Sequence, residues 1–161
     1  MCQMTIRETS ATPVVSIRER LEPSQLPSFM DRVFGELYAA VPRLGLQPAG
    51  HPFTIYHAVG RDAIDAEVCA PVDRLPSQPL GELTLTARLV PGDRVATTIH
   101  VGPYDGLGEA YDAIERWVAD SGHEQVGPMR ERYLDGPDET PDPIRYRTEI
   151  EIPVARVPVL A

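Results

Sequence analysis

No lysine occurs anywhere in this 161-residue sequence, and all 15 of its basic residues are arginine. Schiff-base chemistry and a lysine-bearing phosphate loop are therefore excluded. Cysteine is almost as scarce: Cys2 and Cys69 are too few for a disulfide framework, so reduced thiols are expected. No apolar run approaches the roughly 20 residues that span a bilayer. The opening MCQMTIRETSA lacks the charged and apolar regions of a signal peptide, which makes the cytoplasm the expected location, with no membrane association. Positive charge is in deficit, 15 basic against 24 acidic residues for a net charge of -9, and no clustered basic face is found. Direct nucleic-acid binding is not expected of such a chain. His51, His57, His100 and His123 fall in four separate segments without metal-ligand spacing, so neither a metal nor any other cofactor is expected.

What is present begins with a repetition. Glu67–Val72 reads EVCAPV and Glu149–Val154 reads EIEIPV, the pattern E-x-x-x-P-V in both halves. Upstream, Gly45, Gly50 and Tyr56 have the spacing of Gly122, Gly127 and Tyr133. A hydrophobic content of 42% fits one soluble domain, residues 1–161, containing repeat 1 at about 13–72 and repeat 2 at about 93–154.

Each repeat reads as βαββ. Strand-like residues 14–21 precede a helix whose Leu26, Phe29, Met30, Val33, Phe34, Leu37 and Val41 recur at steps of three and four. Ser24 is the expected cap, and Pro42 with Gly45 the stop. Residues 53–59 and 64–72, joined by Gly60-Arg61-Asp62, form a hairpin. A proline-containing linker leads to a strand over 83–90, with Leu83, Leu85, Ala87 and Leu89 on its buried side, and then to a strand over 94–101. Asp105 is the expected cap of a second helix carrying Leu107, Ala110, Tyr111, Ile114, Trp117 and Val118. Strands over 128–133 and 145–154 close the second repeat, around the acidic loop DGPDETPDP.

The expected fold class is α+β: duplicated βαββ units with pseudo-two-fold symmetry, a curved antiparallel sheet with helices on one face, and a ligand cleft between the two halves. Strand alternation places Ile64, Ala66, Val68 and Ala70 toward the first helix and Asp65, Glu67 and Cys69 opposite. Likewise Tyr146, Thr148, Ile150 and Ile152 face the second helix, while Arg147, Glu149 and Glu151 face away. Alternation alone fits either a solvated outer face or a partly closed cavity around Glu67 and Glu149. Cys69 shares the Glu67 face as a small lining residue, because no local partner supports Cys-His catalysis.

HVGPYDGLGEAYDAIERW followed by GPMRERYLDGPDETPDPIRYRTEIEIPV resembles the GyrI-like small-molecule-binding domain, which also forms the effector-binding part of multidrug-sensing transcription regulators. The first half, from IRERLEPSQLPSFMDRVFGELY to AEVCAPV, is similar to the first half of that family. The resemblance implies a central aromatic-lined cleft around a buried glutamate that takes lipophilic, often cationic molecules. It places the pocket glutamate on Glu149 and, through the G-P-Y motif, an aromatic at Tyr104, with Tyr133 next. Glu67 is the repeat mate of Glu149 and Tyr56 that of Tyr133, each with a structural role as the alternative. Trp117 lies on the helix stripe, as core within reach of a ligand. The resemblance also allows an enzyme, a hydrolase of cyclopropane-containing genotoxins in which Glu149 activates water with help from Tyr104. No helix-turn-helix precedes residue 14, so promoter control would require a regulatory protein partner. A protein-interaction module or homodimer is the third reading.

Overall fold

The computed structural model describes residues 3–81 and 84–159. Cys2 and Leu83 lie outside the described residues. In chain order the elements are β1 (Met4–Glu8), β2 (Thr12–Leu21), α1 (Leu26–Arg43), β3 (Phe53–Val59), β4 (Ile64–Pro71), β5 (Thr86–Val90), β6 (Arg94–Val101), α2 (Leu107–Asp120), β7 (His123–Gln125), β8 (Met129–Asp135) and β9 (Arg147–Arg156). They form two compact units: Ser10–Gly92, and a second that joins the segment up to Thr9 to the chain from Asp93 onward.

In the Ser10–Gly92 unit an antiparallel sheet runs β3-β4-β2-β5. The apolar stripe of α1 buries Phe29, Val33, Leu37, Ala40 and Val41, and the helix packs on β2 and β4. Each fully buried Leu or Phe contributes about 2 kcal/mol. Pro42 is accommodated in the last turn, and Gly45 then takes a φ of 73°, a left-handed conformation that ends the helix with no side-chain penalty. In the second unit the order is β1-β6-β9-β8, antiparallel, with β7 paired to the end of β9. Here α2 buries Leu107, Ala110, Ile114 and Val118 against Ala96, Ile150, Ile152 and Val154, and Gly122 ends it at the same φ of 73°.

The duplication reaches the backbone register. The β3–β4 ladder slips between Tyr56 and Ala58, and the β8–β9 ladder between Tyr133 and Asp135, so each repeated tyrosine stands at a bulge. The fold is thus α+β, two βαββ motifs with antiparallel sheets and one helix on each.

Three local expectations change. Neither Ser24 nor Asp105 caps a helix, because each sits inside a short 3-10 turn that feeds the helix, leaving Gln25 and Gly106 at the N-cap positions without side-chain cap bonds. Leu85, just before β5, is buried as expected, but within the strand Leu89 is 50% exposed and Val90 is buried. The strand turns Arg88 inward because its guanidinium pairs with the buried Glu67 carboxylate. Finally, β1 lies in the N-terminal segment to which the repeat pattern assigned no element.

Candidate functional site

The two repeated glutamates occupy corresponding places and are both matched by arginine. In the first unit, Ile55 and Arg18 flank Glu67 in register. Its face is not solvated, since Val14, Phe53, Ile55, Cys69 and Val90 cluster there and both sides of β4 are buried. Glu67 accepts from Ser16 Oγ at 2.6 Å and from Arg88 Nε and Nη2 at 2.9 and 2.6 Å, and its other close partner is His57 Nε2 at 2.9 Å. Burial opposes its charge, but the hydrogen bonds from Arg88, Ser16 and His57 prevail and hold its pKa at about 2. Such a carboxylate is a tie among strands β2, β3, β4 and β5.

Glu149 repeats the pattern with the edge strand β1. Arg7 Nη2 donates to Glu149 Oε1 at 2.6 Å and to Glu151 Oε2 at 3.2 Å, while Arg132 Nε donates to Glu151 at 2.8 Å. Glu151 is wholly buried. Glu149, at 13% side-chain exposure, borders an open groove of about 580 Å³ with Thr5, Arg7, Thr97, Ile99 and Val101. Two adjoining carboxylates divide the charge unequally. Although buried, Glu151 is brought below its ordinary value by Arg132, whereas burial and the neighbouring Glu151 push Glu149 up to about 7 against the pull of Arg7. A folded-state pKa raised from 4.5 to about 7 means stability that is present below the unfolded pKa and lost as pH rises through the folded one. The urea midpoint is therefore expected to rise as pH falls from about 7 toward about 4.5, and Glu149→Gln to remove that part of the pH dependence, so that the wild-type-minus-variant difference changes across the window. Parallel pH profiles for the two proteins would contradict this titration.

The tyrosines lie elsewhere. Glu131 pairs with Ile150 and Tyr133 with Thr148 across β8 and β9. Ile150 packs on α2, so alternation places Glu131 and Tyr133 on the helix side and Glu149 on the reverse. The structure therefore does not bring Glu149 together with Tyr104 and Tyr133. It brings a different carboxylate to them. Tyr111 Oη from α2 donates to Glu131 Oε1 at 2.7 Å, and Tyr133 Oη donates to Glu131 Oε2 at 3.1 Å. Tyr104, just before α2, sets its ring 6.3 Å from that of Tyr133, edge to face, and 5.1 Å from that of Tyr146, separations at which aromatic pairs attract. Glu131, Tyr133 and Tyr146 are buried, whereas Tyr104 is 39% exposed and forms the open side of the group. Burial, and then Tyr146 and the charges of Glu131, Glu139 and Asp138, push the Tyr104 hydroxyl up to about 12. Thr148, fully buried between the positions of Tyr146 and Tyr133, has a hydroxyl with no hydrogen-bond partner among the described residues. A buried hydroxyl in that state is stabilised by anything polar that enters.

The other expected site residues belong to their own surroundings. Cys69 is completely buried in the apolar cluster with Phe53 and Val14. Tyr56 is buried and in register with Ala66, on the side of its sheet opposite Glu67. Trp117 is half-buried against the core of the second unit. Glu131, Tyr111 and Tyr146 were not among the residues singled out, although the alternation in Arg130–Tyr133 already pairs a carboxylate with the tyrosine two residues on.

The chain matches the model of the GyrI-like small molecule binding domain over residues 3–155, and it belongs to that family. It is similar to the EcmrR C-terminal domain, with 29% identity, a TM-score of 0.85, and coverage of 98% of this chain and 99% of that one. An EcmrR chain in a DNA complex is matched with 29% identity and a TM-score of 0.85 over 97% of this chain, which spans 58% of that longer chain. The fold is shared with SAV2435 in a structure bound to tetraphenylphosphonium, with 15% identity, a TM-score of 0.68, and coverage of 95% and 94%. No curated protein gives a significant match. No helix among the described residues is long and apolar enough to cross a membrane.

Proposed function

We propose that this domain binds lipophilic cations at the tyrosine group of its second unit, with Glu131 as the charge anchor and Tyr104, Tyr133 and Tyr146 as aromatic walls. The observation that carries this reading is the Glu131 carboxylate held by phenol hydroxyls from Tyr111 and Tyr133. The two phenol hydroxyls orient the carboxylate toward the rings. A cation held near the carboxylate and against ring faces gains on both counts, with each ring face adding roughly 0.5 to 2 kcal/mol. Rings constrain shape loosely, so the site selects flat or globular hydrophobic cations as a class. In this reading Glu67 and Glu149 hold strands in place.

The binding reading is favoured over a hydrolase that uses Glu149 and Tyr104 together. Glu149 faces away from the helix side of β9, where Tyr104 packs against Tyr133 and Tyr146. The test is calorimetric titration of the full chain with tetraphenylphosphonium, with saturable binding expected. Absence of heat and of any thermal stabilisation at saturating ligand would reject the site.

A further inference from the structure

The loop that follows β8 is acidic, and local bonds hold several of its carboxylates. Asp135 is tied to Arg147, and Asp142 accepts from the Ile144 backbone at 3.2 Å. Glu139 is different. Its backbone N–H and that of Thr140 both reach the Gly136 carbonyl, at 3.1 and 3.0 Å, and its Oε2 accepts the Gly136 N–H at 2.7 Å. This closed turn holds the exposed Glu139 carboxylate in a defined place. That place is beside the site: a Cβ at Gly136 would lie 3.1 Å from Tyr104 Oη and 3.6 Å from Glu139 Oε2. The tyrosine hydroxyl and the glutamate thus converge on one glycine, which leaves room for both.

The contacts form a series. Glu131 meets the Tyr133 hydroxyl, the Tyr133 ring meets the Tyr104 ring, and the Tyr104 hydroxyl ends beside Gly136 and Glu139. A buried carboxylate therefore stands at the inner end of an aromatic path and an exposed one at the outer end. Thr148, in register with Tyr133, has a buried hydroxyl with no hydrogen-bond partner among the described residues.

We propose that Glu139 is an outer, specificity-determining carboxylate of the tyrosine site, and that the site prefers elongated ligands with two cationic centres, one at Glu131 and one at Glu139. This rests on the cation-binding reading given above. The raised Tyr104 pKa fits it, since Glu139 and Asp138 both contribute negative potential at that hydroxyl. A single cation uses the inner carboxylate; a second, one aromatic span away, recovers the attraction of the outer one.

The probes are alkane bis(trimethylammonium) salts of increasing spacer length and the matching alkyltrimethylammonium monocations, titrated into the full chain. In Glu139→Gln the amide oxygen still accepts the Gly136 N–H, so the turn is kept while the charge is lost; an unchanged urea midpoint verifies this. The wild type is expected to favour the best-fitting dication, and the variant to lower the ratio of dication to monocation affinity about fivefold at low salt, the scale of one exposed ion pair. Raising the salt should erode that ratio in the wild type and leave it flat in the variant. A ratio equal in the two proteins, or an equal loss for both probes, overturns the outer-carboxylate role while leaving Glu131 as anchor. Failure of the wild type to bind any of these cations overturns both readings.

Discussion

Glu131→Gln is expected to weaken tetraphenylphosphonium binding about 30-fold, the equivalent of about 2 kcal/mol. A carboxylate about 4 Å from a cation gives on the order of 4 kcal/mol at an effective dielectric near 20, and part of this is offset by stripping water from both charges. Glutamine preserves one carbonyl-type acceptor for the phenols of Tyr111 and Tyr133, so the loss reports charge and not collapse of the tyrosines. Glu149→Gln is the informative comparison, because that side chain points to the other face of the sheet and is engaged by Arg7 at 2.6 Å. Its effect on affinity is expected to stay within about twofold, the scale of a remote surface charge. Equal affinities of wild type and Glu131→Gln would remove the anchor role. A large loss in Glu149→Gln alone would move the ligand to the groove of about 580 Å³ beside Arg7.

The largest stability effect is expected at Glu67. Replacing it by alanine leaves the Arg88 guanidinium, the completely buried Ser16 hydroxyl and His57 without the carboxylate they share. Removing one partner of a fully buried ion pair costs about 3 to 5 kcal/mol; the Arg88 side chain is 33% exposed and regains some water, so about 2 to 3 kcal/mol is expected. A urea denaturation midpoint reads this loss directly. Replacing Glu67 and Arg88 together by methionine is expected to recover much of it, because a hydrophobic pair leaves no charge behind. If the double variant is as unstable as the single one, packing and not charge explains the position. The same carboxylate predicts acid sensitivity. Its pKa falls from 4.5 to about 2 on folding, so its contribution is present above the unfolded value and lost as pH drops through the folded one, about 3 kcal/mol in all. Glu67→Gln should flatten that part of the acid profile.

Much of the fold can be read from residue spacing because the signals are local. The stripes at three and four along α1 and α2, the glycines after each helix, and the repeated tyrosines all act within a few residues of themselves. The second face of β4 shows where spacing runs out. Asp65, Glu67 and Cys69 look like an outer polar row, yet Glu67 and Cys69 are buried, because Phe53 and Ile55 of β3 and Val14 of β2 align beside them. Alternation assigns a side chain to a face and says nothing of what covers that face. The same gap explains Glu149. Motif position made it the anchor residue, whereas its partners come from Arg7 in the distant β1 and from Glu151, which alternation already places beside it.

Sequence by itself determined the duplicated βαββ order, the absence of lysine chemistry, and the membership of Glu67 and Glu149 on the faces of their sheets turned away from the helices. Tertiary structure alone decided which carboxylate meets the tyrosines. Glu131, Tyr133, Tyr111, Tyr104 and Tyr146 come from β8, α2 and the turns flanking β6 and β9, and they converge when α2 settles on the β8–β9 ladder. The physical reason is that a charge is defined by its neighbours in space. An arginine from an edge strand ties Glu67 and Glu149 into their sheets, whereas the hydroxyls of Tyr111 and Tyr133 hold Glu131 among the tyrosines.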